Sequence, residues 1–244
     1  MKSNGFEEMV AIQLNTRSWP GQAKLSAEDL GLQNDEVPEI FRLGNKRLYP
    51  DEWRQVFGQL GNRARNYLND SSYPFVMEYV RAIPKRNLAR VMERLEDLKA
   101  EYLAKAEEFV ARYEAIKDEW RAKYPDIWHR LAPHYPTCSQ LRRKFDFFWT
   151  VFEIKGAEVK EGSAPEIVAA YEQARAELET RYQEMVEEAV VYLRKKVVET
   201  VQNLSSRLKE GRIVRNDTLE SVRRVEDWFK DMNIFGDLQV EESL

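Results

Sequence analysis

Between Pro84 and Tyr124 the apolar residues Leu88, Val91, Leu95, Leu98, Tyr102, Ala106, Phe109, Tyr113, Ile116, Trp120 and Tyr124 recur at steps of three and four. That period puts them in one stripe along a 3.6-residue helix. At about 1.5 Å per residue the helix would be roughly 60 Å long. Short elements are not expected to cover so long a stripe, so the pattern calls for an equally long partner. Pro165 to Glu210 supplies one, with Ile167, Tyr171, Ala174, Leu178, Tyr182, Met185, Ala189, Leu193, Val197, Val201, Leu204 and Leu208 on its apolar side and Gly211 at its end. Antiparallel pairing of the two rods is the expected arrangement.

Shorter patterns flank the rods. Val10, Ile12 and Leu14 alternate with Ala11, Gln13 and Asn15 as a strand does, up to the Trp19-Pro20-Gly21 turn. Ser26-Ala27-Glu28-Asp29 can cap a short helical turn. Pro50 opens a helix reaching about Leu68, with Asp51 and Glu52 near its positive end and Trp53, Val56, Phe57, Leu60, Ala64 and Leu68 inward. From Tyr73 to Ile83 the period becomes two, which predicts a strand. The strongest strand pattern is Lys144 to Lys155, where Phe145-Asp146-Phe147-Phe148-Trp149-Thr150-Val151-Phe152-Glu153-Ile154 is apolar on both faces and asks for cover on both. Pro125, Pro133 and Pro136 interrupt any helix between, leaving room for a short one at Asp126–Leu131. Gly156 to Ser163 reads as a loop, Asn216-Asp217-Thr218 as the cap of a last helix carrying Leu219, Val222, Val225, Phe229 and Met232, and Ile234 to Asp237 as a docked turn.

Composition sharpens this picture by exclusion. Over 244 residues the charged fraction is 33% and the hydrophobic fraction 43%, with six Trp, eleven Tyr and eleven Phe, which fits a folded chain with much solvated helix surface. The net charge of −4 is the small difference of 42 acids and 38 bases that interleave almost everywhere. Bulk electrostatics therefore give no reason to expect nucleic acid or an anionic membrane. One cysteine, Cys138, excludes an intramolecular disulfide framework and fits a reducing compartment. With no apolar leader at Met1–Glu8 and no run of about 20 apolar residues, the expected location is cytoplasmic. Exposed helix faces carry Glu101–Lys105, Glu108–Arg112, Glu119–Lys123 and Glu177–Arg181 at i,i+4, which keep the rods soluble and identify no ligand.

Candidate chemistry is sparse. His129, His134 and Cys138 are the one soft-donor set, but a structural zinc needs four ligands at tighter spacing. Cys138 with His134 is a nucleophile–base pair only on paper, since no orienting third group is readable. Paired acids such as Glu107-Glu108 and Glu187-Glu188 read as solvated helix surface. Phosphate-cradling glycine loops and the common hydrolase motifs are absent from the sequence. No enzyme activity, catalytic residue, metal or cofactor is therefore expected. Among the basic clusters, Arg142-Arg143-Lys144 flanks the aromatic strand, where a grip on single-stranded nucleic acid is conceivable. The strand itself, through Phe145, Phe147, Phe148, Trp149 and Phe152, has a second reading as a membrane-entering tongue, although Asp146 and Glu153 interrupt it and a buried strand is the simpler account.

Leu14-Asn15-Thr16-Arg17-Ser18-Trp19 with Gly21 and Lys24-Leu25, the Asp29-Leu30-Gly31-Leu32 step, the long first rod, the aromatic strand and Trp228-Phe229-Lys230-Asp231-Met232-Asn233 together carry a resemblance. The chain resembles a bacterial family of unknown function found on phages and plasmids, often encoded near a MoxR-type AAA+ ATPase and a von Willebrand A-domain protein. The resemblance implies an accessory or adaptor role and supplies no catalytic residue.

The sequence thus predicts an α-rich α+β chain: two long paired, coiled-coil-like helices, shorter helices and a small sheet at one end. Its segments would be an irregular region over 1–83, a helical hairpin with the Pro-rich connector and aromatic strand over 84–215, and a docking helix over 216–244. The expected function is a non-enzymatic scaffold or adaptor working through its helical faces: Leu95, Tyr102, Phe109, Tyr113, Trp120, Leu178, Tyr182 and Leu193 are the candidate protein-binding residues. Expected partners are an AAA+ ATPase, a von Willebrand A-domain protein or a second copy, with membrane action and then nucleic-acid binding as alternatives.

Overall fold

A computed structural model of the chain describes residues 8–33, 37, 38, 40–153, 162–209, 223 and 226–233. The fold is α-rich α+β. In chain order the elements are β1 (Met9–Arg17), β2 (Gln22–Lys24), β3 (Asn45–Arg47), α1 (Asp51–Asp70), β4 (Tyr73–Pro74), β5 (Val80–Pro84), α2 (Leu88–Lys123), α3 (Trp128–Leu131), α4 (Cys138–Arg142), β6 (Asp146–Phe152) and α5 (Pro165–Lys209). A final helical segment, α6, covers 226–232. A four-stranded sheet has the order β4-β5-β1-β6, and β2 pairs with β3 separately. β1 and β5 are antiparallel, with Met9 opposite Pro84 and Gln13 opposite Val80.

Between Tyr73 and Ile83 the single strand predicted from alternation is a hairpin instead. β4 stops at Pro74, a turn closes with Val80 N–H donating to Met77 O at 3.2 Å, and Tyr79 takes φ 63°. Period two was present on paper, but it ran through a turn that no glycine marked. The predicted loop at 156–163, apart from its last two residues, and the cap and apolar positions of 216–225 lie outside the described residues, as does the turn at 234–237.

The chain forms two compact units built from interleaved segments: Met1–Leu14, Tyr67–Glu93 and Trp149–Leu244 in the first, Asn15–Asn66 and Arg94–Phe148 in the second. In the first unit Met9, Tyr73 and Ala82 pack with Met185, Ala189, Leu193 and Val197 of α5 and with Phe229 and Met232 of α6. Polar side chains fasten the same core. Arg86 donates to the carbonyls of Lys230 (2.6 Å) and Asp231 (2.9 Å), Arg90 meets the Asp231 carboxylate at 2.6 Å, and Trp228 Nε1 donates to Asp70 O at 2.6 Å. Burial pushes the Arg81 guanidinium below its ordinary pKa, and its donors go to Ser72 O (2.9 Å) and Asn69 O (3.3 Å) at the carbonyl end of α1. That is where the helix dipole favours a cation.

The second unit is organised by α2. No glycine or proline interrupts Leu88–Lys123, and the helix ends where Pro125 restricts Tyr124. Its stripe is buried as predicted at Leu95, Leu98, Tyr102, Ala106, Phe109, Tyr113 and Ile116. The cover that this unit itself supplies is aromatic. Within this unit, Phe109 meets Trp19, Tyr49, Trp53, Phe57 and Phe145 at ring-centroid distances of 5.1–6.3 Å, and Tyr102 meets Phe57 and Phe147 at 5.5 and 5.6 Å. Short and irregular segments close a long stripe because each aromatic ring buries about 150–250 Å².

Hydroxyls bind the irregular segments to this aromatic layer. Tyr102 donates to Arg17 O at 2.7 Å, Tyr113 to Pro136 O at 2.7 Å, Tyr49 to Trp19 O at 2.9 Å and Tyr135 to Leu48 O at 2.6 Å. Burial raises the pKa of all four, to about 12 for Tyr49 and Tyr102, so each stays a donor at neutral pH. At the predicted Ser26–Asp29 turn Ser26 Oγ accepts from Asp29 N at 3.4 Å, Asp29 Oδ2 accepts from Ser26 N and Ser26 Oγ, each at 2.8 Å, and Lys46 Nζ adds a 2.8 Å ion pair with side chains only 12% and 9% exposed. Of the surface pairs, Glu177–Arg181 forms at 3.4 Å, whereas Lys105 turns to Glu108 at 2.6 Å and Arg112 lies 5.7 Å from the Trp53 ring centroid.

Two stability predictions follow from this unit. Gly21 has φ +55°, and a Cβ there would sit 1.7 Å from the Tyr49 ring. Gly21→Ala should cost about 2–4 kcal/mol in chemical denaturation. Lys46 and Ser26 hold the Asp29 carboxyl well below the usual carboxylate range. Its stabilisation is complete above about pH 4 and falls away as acid protonates the folded protein. Asp29→Asn should therefore cost about 1–3 kcal/mol at pH 7, and the gap to wild type should narrow in melts taken at progressively lower pH.

Candidate functional site

Helix α5 is 45 residues long, yet its buried residues are confined to Met185, Val186, Ala189, Leu193 and Val197 among those described. Glu and Ala dominate its exposed half, which gives good helix propensity without a packing partner. Pro165 stands at its first position and Glu166 in its first turn, both favourable there. Large apolar side chains remain in solvent along it: Ile167 is 49% exposed, Tyr171 40%, Val191 64%, Val198 51% and Val201 53%. Val191 and Val198 are seven residues apart and share a face.

Around Val191 the helix surface forms an open hollow of about 580 Å³, lined by Glu184, Glu187, Glu188, Val191, Tyr192 and Lys195. Three carboxylates flank one apolar position, and the single lysine there reaches Glu199 at 3.9 Å. The support beneath is firm. Leu193, Ala189 and Val197 are set in the first unit's core, Tyr192 meets Trp228 at 6.3 Å, and Lys196 reaches Asp70 at 3.0 Å. Such a surface can bind by apolar contact and charge complementarity.

A model of the family described as "Protein of unknown function (DUF3150)" matches residues 6–241. The chain belongs to the DUF3150 family. Searches of curated proteins and of solved structures return no match.

In this DUF3150 protein the residues singled out from sequence separate into three groups. Leu95, Tyr102, Phe109, Tyr113 and Leu193 are buried in the chain's own packing, while Trp120, Leu178 and Tyr182 are half-buried. Trp120 donates to Arg47 O at 3.3 Å. The aromatic strand is β6 of the sheet: Phe145 and Phe147 are buried, Trp149 and Phe152 half-buried, and Phe148 and Val151 39% and 36% exposed. Cover on both faces was expected, and Phe148 on one face and Val151 on the other stand in solvent. No helix among the described residues is long and apolar enough to cross a membrane.

The soft donors do not converge. No group of three metal-ligating residues occurs among the described residues. His129 accepts from Arg130 at 3.3 Å, and Cys138 Sγ donates to Glu114 Oε1 at 3.3 Å. That carboxylate pushes the Cys138 thiol up, while Lys117, 2.8 Å away, and the thiol hold Glu114 down. The basic triplet also divides, because Arg142 is held by Glu107 through bonds of 2.9 Å. Sequence reading missed the exposed valines at 191 and 198: the stripe was traced along 189, 193 and 197, and their offset face was the signal left unused.

The Cys138–Glu114 contact makes a test. Glu114→Gln removes the charge that disfavours the thiolate, so alkylation by iodoacetamide at pH 8 should speed up several-fold. An unchanged rate would show that Glu114 does not set the thiol's reactivity.

Proposed function

We propose that this DUF3150 protein is a non-enzymatic adaptor whose binding face is the exposed apolar side of α5. The observation that carries the reading is the placement of Val191, Val198 and Val201 in solvent on a helix whose other side is firmly packed. Apolar residues lined up on a supported helix are the pattern of a helical binding surface. Glu184, Glu187 and Glu188 around Val191 select the partner's chemistry: an apolar strip bordered by Lys or Arg.

The resemblance noted from sequence supplies the partner class, an AAA+ ATPase or a von Willebrand A-domain protein of phage or plasmid origin acting in the cytoplasm. The non-enzymatic reading is supported by the protonation states at the one thiol–carboxylate pair. The Glu114 carboxylate, hydrogen-bonded to Cys138 Sγ at 3.3 Å, disfavours the thiolate, the form a nucleophile needs.

Val191→Asp with Val198→Asp should leave stability within about 0.5 kcal/mol, because both side chains are surface residues. In capture from the native host, with and without an ATP analogue, wild type should retain the ATPase or A-domain protein and the double variant should lose it at least about tenfold. Equal capture by the variant, or capture of neither protein by wild type, would overturn the reading. Self-association abolished by the same variant would replace the partner with a second copy.

A further inference from the structure

Four segments of the second unit converge on a cleft of about 820 Å³. Arg17 comes from the end of β1, Gln22 from the start of β2, Pro133–Pro136 from the connector, and Gln140, Arg143 and Lys144 from α4 and the residues after it. In a chain with 42 acids, no Asp or Glu among the described residues lines this cleft. Arg17, Arg143 and Lys144 are exposed, and none has a carboxylate partner among the described residues. The neighbouring Arg142 differs, its guanidinium being taken by Glu107 at 2.9 Å. A cleft lined by one sign of charge concentrates its field on whatever enters.

The two amides add donors in a fixed sense. Gln140 Oε1 accepts from Thr137 N at 3.0 Å in the cap of α4, so its NH₂ end is the one left over. Gln22 Oε1 accepts from Asn45 Nδ2 at 3.4 Å, with the same consequence. The backbone is held before any ligand arrives. The tyrosine hydroxyls of 102, 49, 113 and 135 donate to the carbonyls of Arg17, Trp19, Pro136 and Leu48. Preorganisation of this kind lowers the entropic cost of binding.

We propose that this cleft binds an acidic, extended peptide segment of a partner protein, its carboxylates received by Arg17, Arg143 and Lys144. Guanidinium groups and amide NH₂ groups match carboxylate oxygens, and the guanidinium can do so bidentately. Pro20, Pro133 and Pro136 give walls without N–H groups, suited to the apolar stems of a bound peptide. Single-stranded nucleic acid fits less well, because base binding relies on exposed aromatic faces. Trp19 is only 5% exposed, and its ring is taken up by Tyr49, Tyr113 and Tyr135 at 5.2–6.3 Å. The inference rests on the adaptor reading only in taking the ligand to be protein, and it uses no residue of α5.

The test is fluorescence anisotropy on the full chain with three labelled probes: a short alternating Glu/Pro peptide, its Gln/Pro counterpart and an oligothymidylate. The acidic peptide should bind in a salt-sensitive manner, with the neutral peptide and the oligothymidylate at least about tenfold weaker. Arg17→Gln, Arg143→Gln and Lys144→Gln combined should weaken the acidic peptide at least about tenfold. Arg143→Gln alone, a change at an exposed side chain, should weaken it about threefold or more. Arg142→Gln should leave it within about twofold, since that side chain is turned to Glu107. No binding of the acidic peptide, equal binding of the neutral one, tighter binding of oligothymidylate, or an equal loss in Arg142→Gln would overturn the proposal. Val191→Asp with Val198→Asp should leave peptide binding unchanged, so failure at the cleft and failure at α5 are read separately.

Discussion

The aromatic stripe of α2 is the constraint on which the second unit depends. Phe109 sits among five other rings, and Tyr102 and Tyr113 on either side of it donate to the backbone of segments that have little regular structure of their own. An irregular segment carries carbonyls that must be satisfied if it is to be buried. Tyrosine meets that need and fills volume with the same side chain. This is why a region broken by Pro20, Gly31, Pro38 and Gly44 can still close a long helical stripe. The hydroxyls do a second thing, fixing the backbone around the Arg17–Lys144 cleft.

The first unit solves a different problem with different means. Its part of α5 is anchored by small and medium aliphatic residues against Tyr73, Phe229 and Met232, and the anchoring is local. Beyond Met185–Val197 the helix has few buried groups among the described residues, so its persistence comes from propensity and from i,i+4 pairs such as Glu177–Arg181. One helix can therefore be a core element over part of its length and a presented surface over the rest. The adaptor reading uses that contrast.

Much of this architecture was legible from residues. The bounds of α1 after Pro50, of α2 before Pro125 and of α5 at Pro165 follow from proline placement and period, and the Ser26–Asp29 turn forms as its spacing suggested. What was not legible was which element covers which stripe. Periodicity names the face of a helix but not its neighbour, and the rings that meet Phe109 come from segments spread over the sequence from Trp19 to Phe145. The hairpin at Tyr73–Pro84 was hidden because Tyr79 takes a left-handed φ without being glycine. At the sites, Arg142-Arg143-Lys144 looked like one basic cluster. Glu107 removes the first of the three, and Arg17, from a strand far off in sequence, joins the others.

Hydrogen exchange read by mass spectrometry tests the central claim, that the stripe of α2 is packed by rings along its length whereas α5 is anchored locally at Met185–Val197. The account predicts the slowest exchange over residues 102–116 of α2, where the stripe is continuously buried. Residues 166–182 of α5 should exchange at least about a hundredfold faster, because opening there exposes little apolar surface. Equal, strong protection along the full lengths of both helices would contradict the account.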